Sequence, residues 1–276
     1  MENRSLSFFI ENALREDIGD GDHTSAACIP ADARGKARLL VKEEGVLAGT
    51  GIAPLIFQKL DPESSVTLFI KDGSWINPGD IAFVVEGRVL GILQAERTVL
   101  NIMQRMSGIA TVTRRYADKL IGLKTKVLDT RKTTPGMRML EKEAVRVGGG
   151  VNHRMGLYDM ILIKDNHIDF TGGIREAVER IRRYLKDTGR ELKIEVEARS
   201  LQDVGIILET GGGDRIMLDN FSIGDNRVAV EMIGNSVETE SSGGITLETI
   251  RNYAECGVDY ISVGALTHHI DSLDLS

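Results

Sequence analysis

Lys193-Ile194-Glu195-Val196-Glu197-Ala198 and Arg215-Ile216-Met217-Leu218-Asp219-Asn220 are two short, largely apolar runs, and a helical pattern over 201–209 separates them. Strand, helix and strand in that order make a parallel βα unit, because parallel neighbours need a crossover connection. The rhythm continues in both directions. Strands are expected at 126–128, 160–163, 193–198, 215–218, 236–240 and 260–263, with helices at 138–146, 174–186, 201–209, 223–233 and 247–255. The strand ends carry Asp129-Thr130-Arg131-Lys132, Lys164-Asp165-Asn166-His167, Asp219-Asn220, Ser241-Ser242-Gly243-Gly244 and Gly264-Ala265. Chemistry gathered at the carboxyl ends of many strands is the pattern of a (β/α) barrel. An open doubly wound sheet draws its site from one switch point and fewer strands. Six strands are fewer than the eight of a closed barrel, so the expectation is an incomplete, TIM-like parallel α/β barrel. Glu195 and Glu197 share one face of their strand, where a buried carboxylate needs a partner or a ligand.

The residues before this rhythm read differently. Leu6, Phe9, Ile10, Ala13 and Leu14 recur every three to four positions, so 5–16 is expected to be an amphipathic helix. Asp20, Asp22 and His23 resemble a metal loop at a glance, but a turn and an N-cap before a short helix is the better reading. Strands are expected at 36–41, 46–49, 66–70 and 81–85, a helix at 53–60, and turns at Asp72-Gly73 and Asn77-Pro78-Gly79-Asp80. These make an N-terminal α/β sandwich domain over 1–108. Residues 89–120 form a long helical pattern, expected to break near Gly108, that leads into the barrel catalytic domain at 109–276.

Composition narrows the function. The chain has 276 residues, 42% of them apolar and 27% charged, enough to bury a sizeable core. It has no apolar run near the ~20 residues of a membrane helix. Its start, Met1-Glu2-Asn3-Arg4, has no signal-peptide character. Two cysteines, Cys28 and Cys256, exclude a disulfide scaffold and fit a reducing cytoplasm. The net charge of −7 argues against a general nucleic-acid binder. Residues 97–164 nevertheless carry fourteen Lys/Arg against five Asp/Glu, a basic middle suited to a small polyanion.

Arg131, Lys132, Arg154 and Lys164 lie at or near strand ends and are expected to converge. Arginine matches a carboxylate through its planar fork, and lysine serves phosphate as a mobile point charge. Glu197, Asp219 and a strongly anionic substrate are the candidates to balance them. Ser242-Gly243-Gly244 follows a strand and Ile245-Thr246-Leu247-Glu248 opens a helix, so backbone N–H groups and a helix N-terminus are expected to bind an anion there. Gly264-Ala265-Leu266 offers a second such turn one βα unit later, and two late loops sharing a phosphate recur in barrels. Gly148-Gly149-Gly150 reads as a flexible approach loop. His153, beside Arg154, could hydrogen-bond a carboxylate, whereas His268 and His269 read as surface. There is no Gly-x-Ser-x-Gly elbow and no P-loop lysine motif.

The order of these motifs resembles one family. Asp129-Thr130-Arg131-Lys132-Thr133-Thr134-Pro135-Gly136, Gly148-Gly149-Gly150-Val151-Asn152-His153-Arg154, Leu162-Ile163-Lys164-Asp165-Asn166-His167, Glu195-Val196-Glu197, Leu218-Asp219-Asn220-Phe221 and Ser242-Gly243-Gly244-Ile245 are similar to the quinolinate phosphoribosyltransferases. Glu16-Asp17-Ile18-Gly19-Asp20-Gly21-Asp22 and Glu96-Arg97-Thr98-Val99-Leu100-Asn101 extend the likeness to nearly the whole chain.

The resemblance implies a pentosyltransferase. Quinolinate and phosphoribosyl pyrophosphate would give nicotinate mononucleotide, pyrophosphate and carbon dioxide, in de novo NAD synthesis. Magnesium would accompany the pyrophosphate, with no protein side chain assigned as its direct ligand. The family fold is an N-terminal α/β sandwich followed by an incomplete α/β barrel, and its working unit is a homodimer or larger with shared active sites. Carried over by position, Arg131, His153 and Arg154 would hold the two carboxylates of quinolinate, and Arg97 would reach the same substrate from the neighbouring subunit. Thr130 belongs to the same substrate-binding segment. Lys132 and Lys164 would face the pyrophosphate and the developing charge. Glu197 and Asp219 would hold ribose hydroxyls, directly or through magnesium and water. Ser242, Gly243 and Gly244, with Gly264, Ala265 and Leu266, would take the 5′-phosphate. Lys132, Lys164, Glu197 and Asp219 would be the catalytic set. Three other readings remain at this stage: a phosphoribosyltransferase for a monocarboxylate, an aldolase-type barrel with a Schiff base on Lys132 or Lys164, and a phosphate-binding regulatory protein.

Overall fold

In the computed structural model, which describes residues 2–276, the chain forms two compact units. The first holds the residues through Val112 together with Thr134–Gly149 and His269–Ser276. The second holds Thr113–Thr133 and Gly150–His268.

The first unit opens with α1 (Glu2–Ile18), which buries Ile10 and Leu14, two of its regularly spaced apolar residues. Asp22 is the N-cap of α2 (His23–Cys28) and accepts from Ser25 N at 2.9 Å, so the turn-and-cap reading of that loop holds. Then come β1 (Arg34–Leu40), β2 (Gly45–Val46), α3 (Ile52–Leu60), β3 (Ser65–Leu68), β4 (Trp75–Ile76) and β5 (Ile81–Arg88). β5 lies between β1 and β3 in an antiparallel sheet, and β2 pairs with β4, a short strand the sequence did not suggest. Phe57 of α3 packs edge-on against Phe83 of β5, with ring centres 6.2 Å apart.

α4 (Val89–Lys119) runs unbroken through Gly108, contrary to the expected break. The glycine serves packing instead. A Cβ there would collide with the carbonyl oxygen of Asp271 and lie 3.3 Å from the Cα of Ser272. The C-terminal tail thus runs close against α4. It is fixed by Leu273 N donating to Gln104 O (3.0 Å) and Gln104 Nε2 donating to Leu275 O (2.7 Å).

The second unit begins its sheet with β6 (Lys126–Leu128). The chain then passes through α5 (Arg138–Val147) of the first unit and returns as β7 (Ile161–Ile163), α6 (Asp165–Thr171), α7 (Ile174–Thr188), β8 (Ile194–Ala198), α8 (Leu201–Thr210), β9 (Arg215–Asp219), α9 (Ile223–Ile233), β10 (Glu238–Ser242), α10 (Ile250–Ala254), β11 (Tyr260–Ser262) and α11 (Ala265–His268). All six strands are parallel in the order β6-β11-β10-β9-β8-β7, the incomplete α/β barrel expected. Val151 adds an isolated parallel bridge to Leu128 on β6. Registers such as Asp219 opposite Ser242 and Leu128 opposite Ser262 bring the strand ends into line.

Three local expectations change. β10 lies two residues later than expected, and Ser241 and Ser242 are inside it rather than past its end. A strand this polar can be buried because each inner side chain finds a partner: Thr239 with Asp259 (2.8 Å), Ser241 with Asn226 (2.6 Å) and Glu240 with Arg215 (3.1 Å). α10 begins only at Ile250, since Thr249 Oγ1 accepts from Thr246 N (3.0 Å) in a preceding turn. The turn at Ser242–Gly244 therefore has no helix N-terminus directly behind it. Gly148 is the C-cap of α5, donating to Ala144 O and Arg146 O, and Gly148 and Gly150 are buried rather than in an open loop.

Candidate functional site

The carboxyl ends of the parallel strands present the chemistry. After β6, Thr130 Oγ1 accepts from Lys132 N (3.0 Å), and Thr267 Oγ1 donates to Lys132 O (2.8 Å). These bonds set the backbone of a turn whose side chains, Arg131 and Lys132, stay exposed. Lys164 is the N-cap of α6, its N–H given to His167 Nδ1 at 2.9 Å, and its side chain is exposed too. Arg131, Lys132 and Lys164 are engaged in no ion pair among the described residues. Arg154 is buried and donates from Nη1 to Met160 O (3.1 Å). Burial lowers its pKa below the usual arginine value, and the nearby charge of Arg131 adds to the effect. Two guanidiniums close enough to repel are relieved by an anion with two acidic groups.

Opposite charge is close by. Glu197, at the end of β8, is buried and accepts from Asp165 N at 3.4 Å. Burial first and the charge of Asp219 second raise its pKa above the ordinary carboxylate range. Asp219, at the end of β9, accepts from Asn220 Nδ2 at 2.7 Å. Two carboxylates near one another attract cationic charge, and they suit either a metal-bound diphosphate or a ribose that becomes positive.

The glycine turns stand beside them. Asn220 has φ 56°, the only non-glycine residue with positive φ among those described, and its N–H donates to Ser242 O at 2.8 Å. Its carboxamide occupies the space a Cβ on Gly243 would need. Gly243 and Gly244 both have positive φ (95° and 61°), a backbone that L side chains rarely adopt, so their N–H groups can turn toward a ligand. At the next strand end, a Cβ on Gly264 would lie 3.1 Å from Lys132 Cδ and 3.0 Å from His268 Nε2. Ala265 starts α11 and Leu266 is buried beneath it. His268 is exposed as expected, but it lies against this turn. Its place four residues after Gly264, on a one-turn helix, was the signal for that.

His153 faces inward. Its N–H donates to Asp129 Oδ1 (2.9 Å), and its Nδ1 accepts from Arg154 N (2.7 Å). Its Nε2 lies 2.8 Å from Glu195 Oε2 and 3.6 Å from Glu240 Oε2. Arg215 joins the cluster from β9, reaching Glu240 and Glu238 at 3.1 Å each and stacking 4.1 Å over the ring of Tyr260. Glu240 and Arg215 were not singled out from sequence. The alternation Glu238, Glu240 repeats that of Glu195, Glu197 and was the available signal.

Thr130, Arg131, Lys132, His153, Arg154, Lys164, Glu197, Asp219, Ser242, Gly243, Gly244, Gly264, Ala265 and Leu266 all belong to the second unit, while Arg97 is an exposed residue of α4 in the first. Lys132 and Lys164 lack the apolar pocket that a Schiff-base lysine uses to stay neutral, which removes the support for the aldolase reading.

Residues 22–107 match the family described as quinolinate phosphoribosyl transferase, N-terminal domain, and residues 109–276 match its C-terminal domain. An Arabidopsis thaliana protein named nicotinate-nucleotide pyrophosphorylase [carboxylating], chloroplastic, is 46% identical over 98% of this chain and 82% of its own. A Bacillus subtilis (strain 168) protein named "Probable nicotinate-nucleotide pyrophosphorylase [carboxylating]" is 42% identical over 100% of this chain and 94% of its own. The structure of the nicotinate-nucleotide pyrophosphorylase from Francisella tularensis superposes with a TM-score of 0.92 at 39% identity, covering 99% of this chain and 95% of that one.

Proposed function

The chain belongs to the quinolinate phosphoribosyltransferase family, and from that premise we propose how its barrel mouth performs the family's reaction. The enzyme transfers a phosphoribosyl group from phosphoribosyl pyrophosphate to the ring nitrogen of quinolinate, with loss of carbon dioxide, giving nicotinate mononucleotide and pyrophosphate for NAD synthesis. The observation that carries the assignment of the mouth is the set of exposed cations, Arg131, Lys132 and Lys164, in no ion pair among the described residues, beside the buried Arg154. Such a set demands an anionic ligand, and two anionic substrates meet there.

In this reading Arg131 and Arg154 hold the two carboxylates of quinolinate, with His153 supporting Arg154. The pyridine nitrogen attacks C1′ as the bond to pyrophosphate breaks, through a state with positive charge on the ribose. Lys132 and Lys164 stabilise the leaving pyrophosphate, and Glu197 and Asp219 stabilise the ribose. Clustered cations also offset the repulsion between the substrates and orient the nitrogen in line with C1′. Glu197 and Asp219 would hold a magnesium ion through water, and the ion would supply further charge neutralisation. Ser242, Gly243, Gly244, Gly264, Ala265 and Leu266 take the 5′-phosphate with backbone N–H groups. Once the ring nitrogen is quaternary, its positive charge stabilises the electron pair that departing carbon dioxide leaves on C2, and that pair then takes up a proton from solvent. The working assembly is a homodimer or larger in which Arg97 serves the neighbouring subunit's site.

No helix among the described residues is long and apolar enough to cross a membrane. Both cysteines are free, which supports a reducing compartment such as the cytoplasm. The test of the activity is stoichiometric release of carbon dioxide and pyrophosphate from quinolinate plus phosphoribosyl pyrophosphate. Consumption of phosphoribosyl pyrophosphate without carbon dioxide would move the assignment to a non-decarboxylating transferase.

A further inference from the structure

The mouth rests on a buried polar cluster that the reaction itself does not use. Glu195 and Glu240 are both fully buried, on β8 and β10, on either side of β9. His153 Nε2, Glu195 and Glu240 place ligand atoms within 4.8 Å of one another. Both oxygens of Glu195 and Oε1 of Glu240 have no hydrogen-bond partner among the described residues, and the 2.8 Å approach of His153 Nε2 to Glu195 Oε2 is a close contact rather than an aligned hydrogen bond. Two buried carboxylates at this distance repel, and one proton held between them removes the repulsion and satisfies an orphan oxygen. Burial and the charge of Glu195 do hold the Glu240 carboxyl protonated well above the usual range. Arg215 supplies the remaining positive charge from β9, and the Ser262 side chain faces Glu240 from β11.

The imidazole then has one tautomer. Because Nδ1 accepts from Arg154 N, the ring proton is on Nε2, the nitrogen that lies 2.8 Å from Glu195 Oε2. A cationic ring would set two N–H groups against each other at Nδ1. The same ring nitrogen thereby holds the backbone of Arg154, the residue whose guanidinium the proposed function gives to quinolinate.

We propose that Glu195 and Glu240, a buried acid–carboxylate pair backed by Arg215, fix His153 as the Nε2–H tautomer and so aim the His153–Arg154 turn at the pyridine dicarboxylate. Glu195, Glu240 and Arg215 are positioning residues, and the role in substrate binding rests on the functional reading above. A metal ion on the same three ligands is the competing use of the cluster. Arg215 argues against it, because its guanidinium already occupies Glu240 Oε2, the oxygen nearer His153.

The experiment combines ¹⁵N-histidine resonance of the full chain with steady-state kinetics of Glu195→Leu and Glu195→Gln. In the resting wild-type enzyme His153, assigned through His153→Gln, is expected with a bare Nδ1 and a protonated Nε2 from about pH 6 to about pH 8. Glu195→Leu is expected to release the tautomer and raise the KM for quinolinate about tenfold or more, with the KM for phosphoribosyl pyrophosphate within about twofold. Glu195→Gln is expected to restore both, because its carbonyl accepts from Nε2 and its amide donates to Glu240. A cationic or Nδ1–H His153, equal movement of both KM values, or no rescue by glutamine overturns the proposal. So does one equivalent of metal in the dialysed protein that Glu240→Gln removes. The resonance needs no turnover and no stable leucine variant. A chain that holds the tautomer yet leaves quinolinate unconsumed overturns the functional reading and spares the device.

Discussion

Arg131 and Arg154 face the same proposed substrate from different surroundings, and that separates the effects of removing them. Arg131 is exposed, so Arg131→Ala should weaken quinolinate about tenfold or more and leave the melting temperature unchanged. Arg154 is buried and bonds Met160 O, so Arg154→Ala should cost about 2–5 kcal/mol of quinolinate binding and also lower the melting temperature. Calorimetric titration with each substrate, beside thermal melts, checks both, and equal losses for quinolinate and phosphoribosyl pyrophosphate would remove these arginines from the carboxylates. Glu240 gives a pH prediction. Its carboxyl is pushed up to about 8 from 4.5, mainly by burial and then by the charge of Glu195. The folded chain holds this proton more tightly than the unfolded chain. The stabilisation is therefore complete below the unfolded value and is lost as pH rises through about 8. The slope it adds is at most about −1.4 kcal/mol per pH unit. Glu240→Gln should flatten that limb in urea titrations, and parallel profiles for the two proteins would show that no proton is held there. The mouth cations were legible because strand-end positions converge by topology. The inward turn of His153 was not, because it depends on Glu195 and Glu240, which reach it only through the closure of the sheet.

Among the elements, the parallel strands and most helices could be read from apolar runs and 3.6-residue periodicity, since each buries its own face. β10 was misplaced because its buried side chains are polar and satisfied by partners from other elements, which hydropathy does not register. Gly108 was misread for a related reason. A glycine within a helical pattern reads as a break, but here the space it leaves admits a tail that joins from the far end of the chain. A paired substitution tests this. Gly205, inside α8, has no atom within 4 Å of a built Cβ, so Gly205→Ala should gain up to about 1 kcal/mol from helix propensity alone. Gly108→Ala gains the same propensity but drives a methyl into the Asp271 carbonyl, and backbone there cannot rotate away as a side chain would. A net loss of about 1–3 kcal/mol is expected. Denaturant midpoints moving in the same direction for both variants would mean that the tail does not press on α4.

For the whole molecule, the distribution of the proposed residues between units bears on how many chains make one site. Every proposed residue of the mouth except Arg97 lies in the second unit, and Arg97 lies exposed in the first. If Arg97 serves the neighbouring subunit, Arg97→Ala and Lys132→Ala disable different halves of each shared site. Either variant alone is inactive at both sites of a dimer. Mixed and allowed to exchange subunits, the two variants form heterodimers in which one site carries both defects and the other neither. Random pairing makes about half of the dimers mixed, and each has one of its two sites intact, so activity should recover toward about a quarter of wild type. Exchange is followed independently by mass-tagging one variant. Recovery that rises with the mixed fraction supports the shared site, and the ceiling moves in proportion when the mixing ratio departs from one to one. Full exchange with no recovery would mean that Arg97 acts on its own subunit's mouth, and the proposed sharing of active sites would have to be given up.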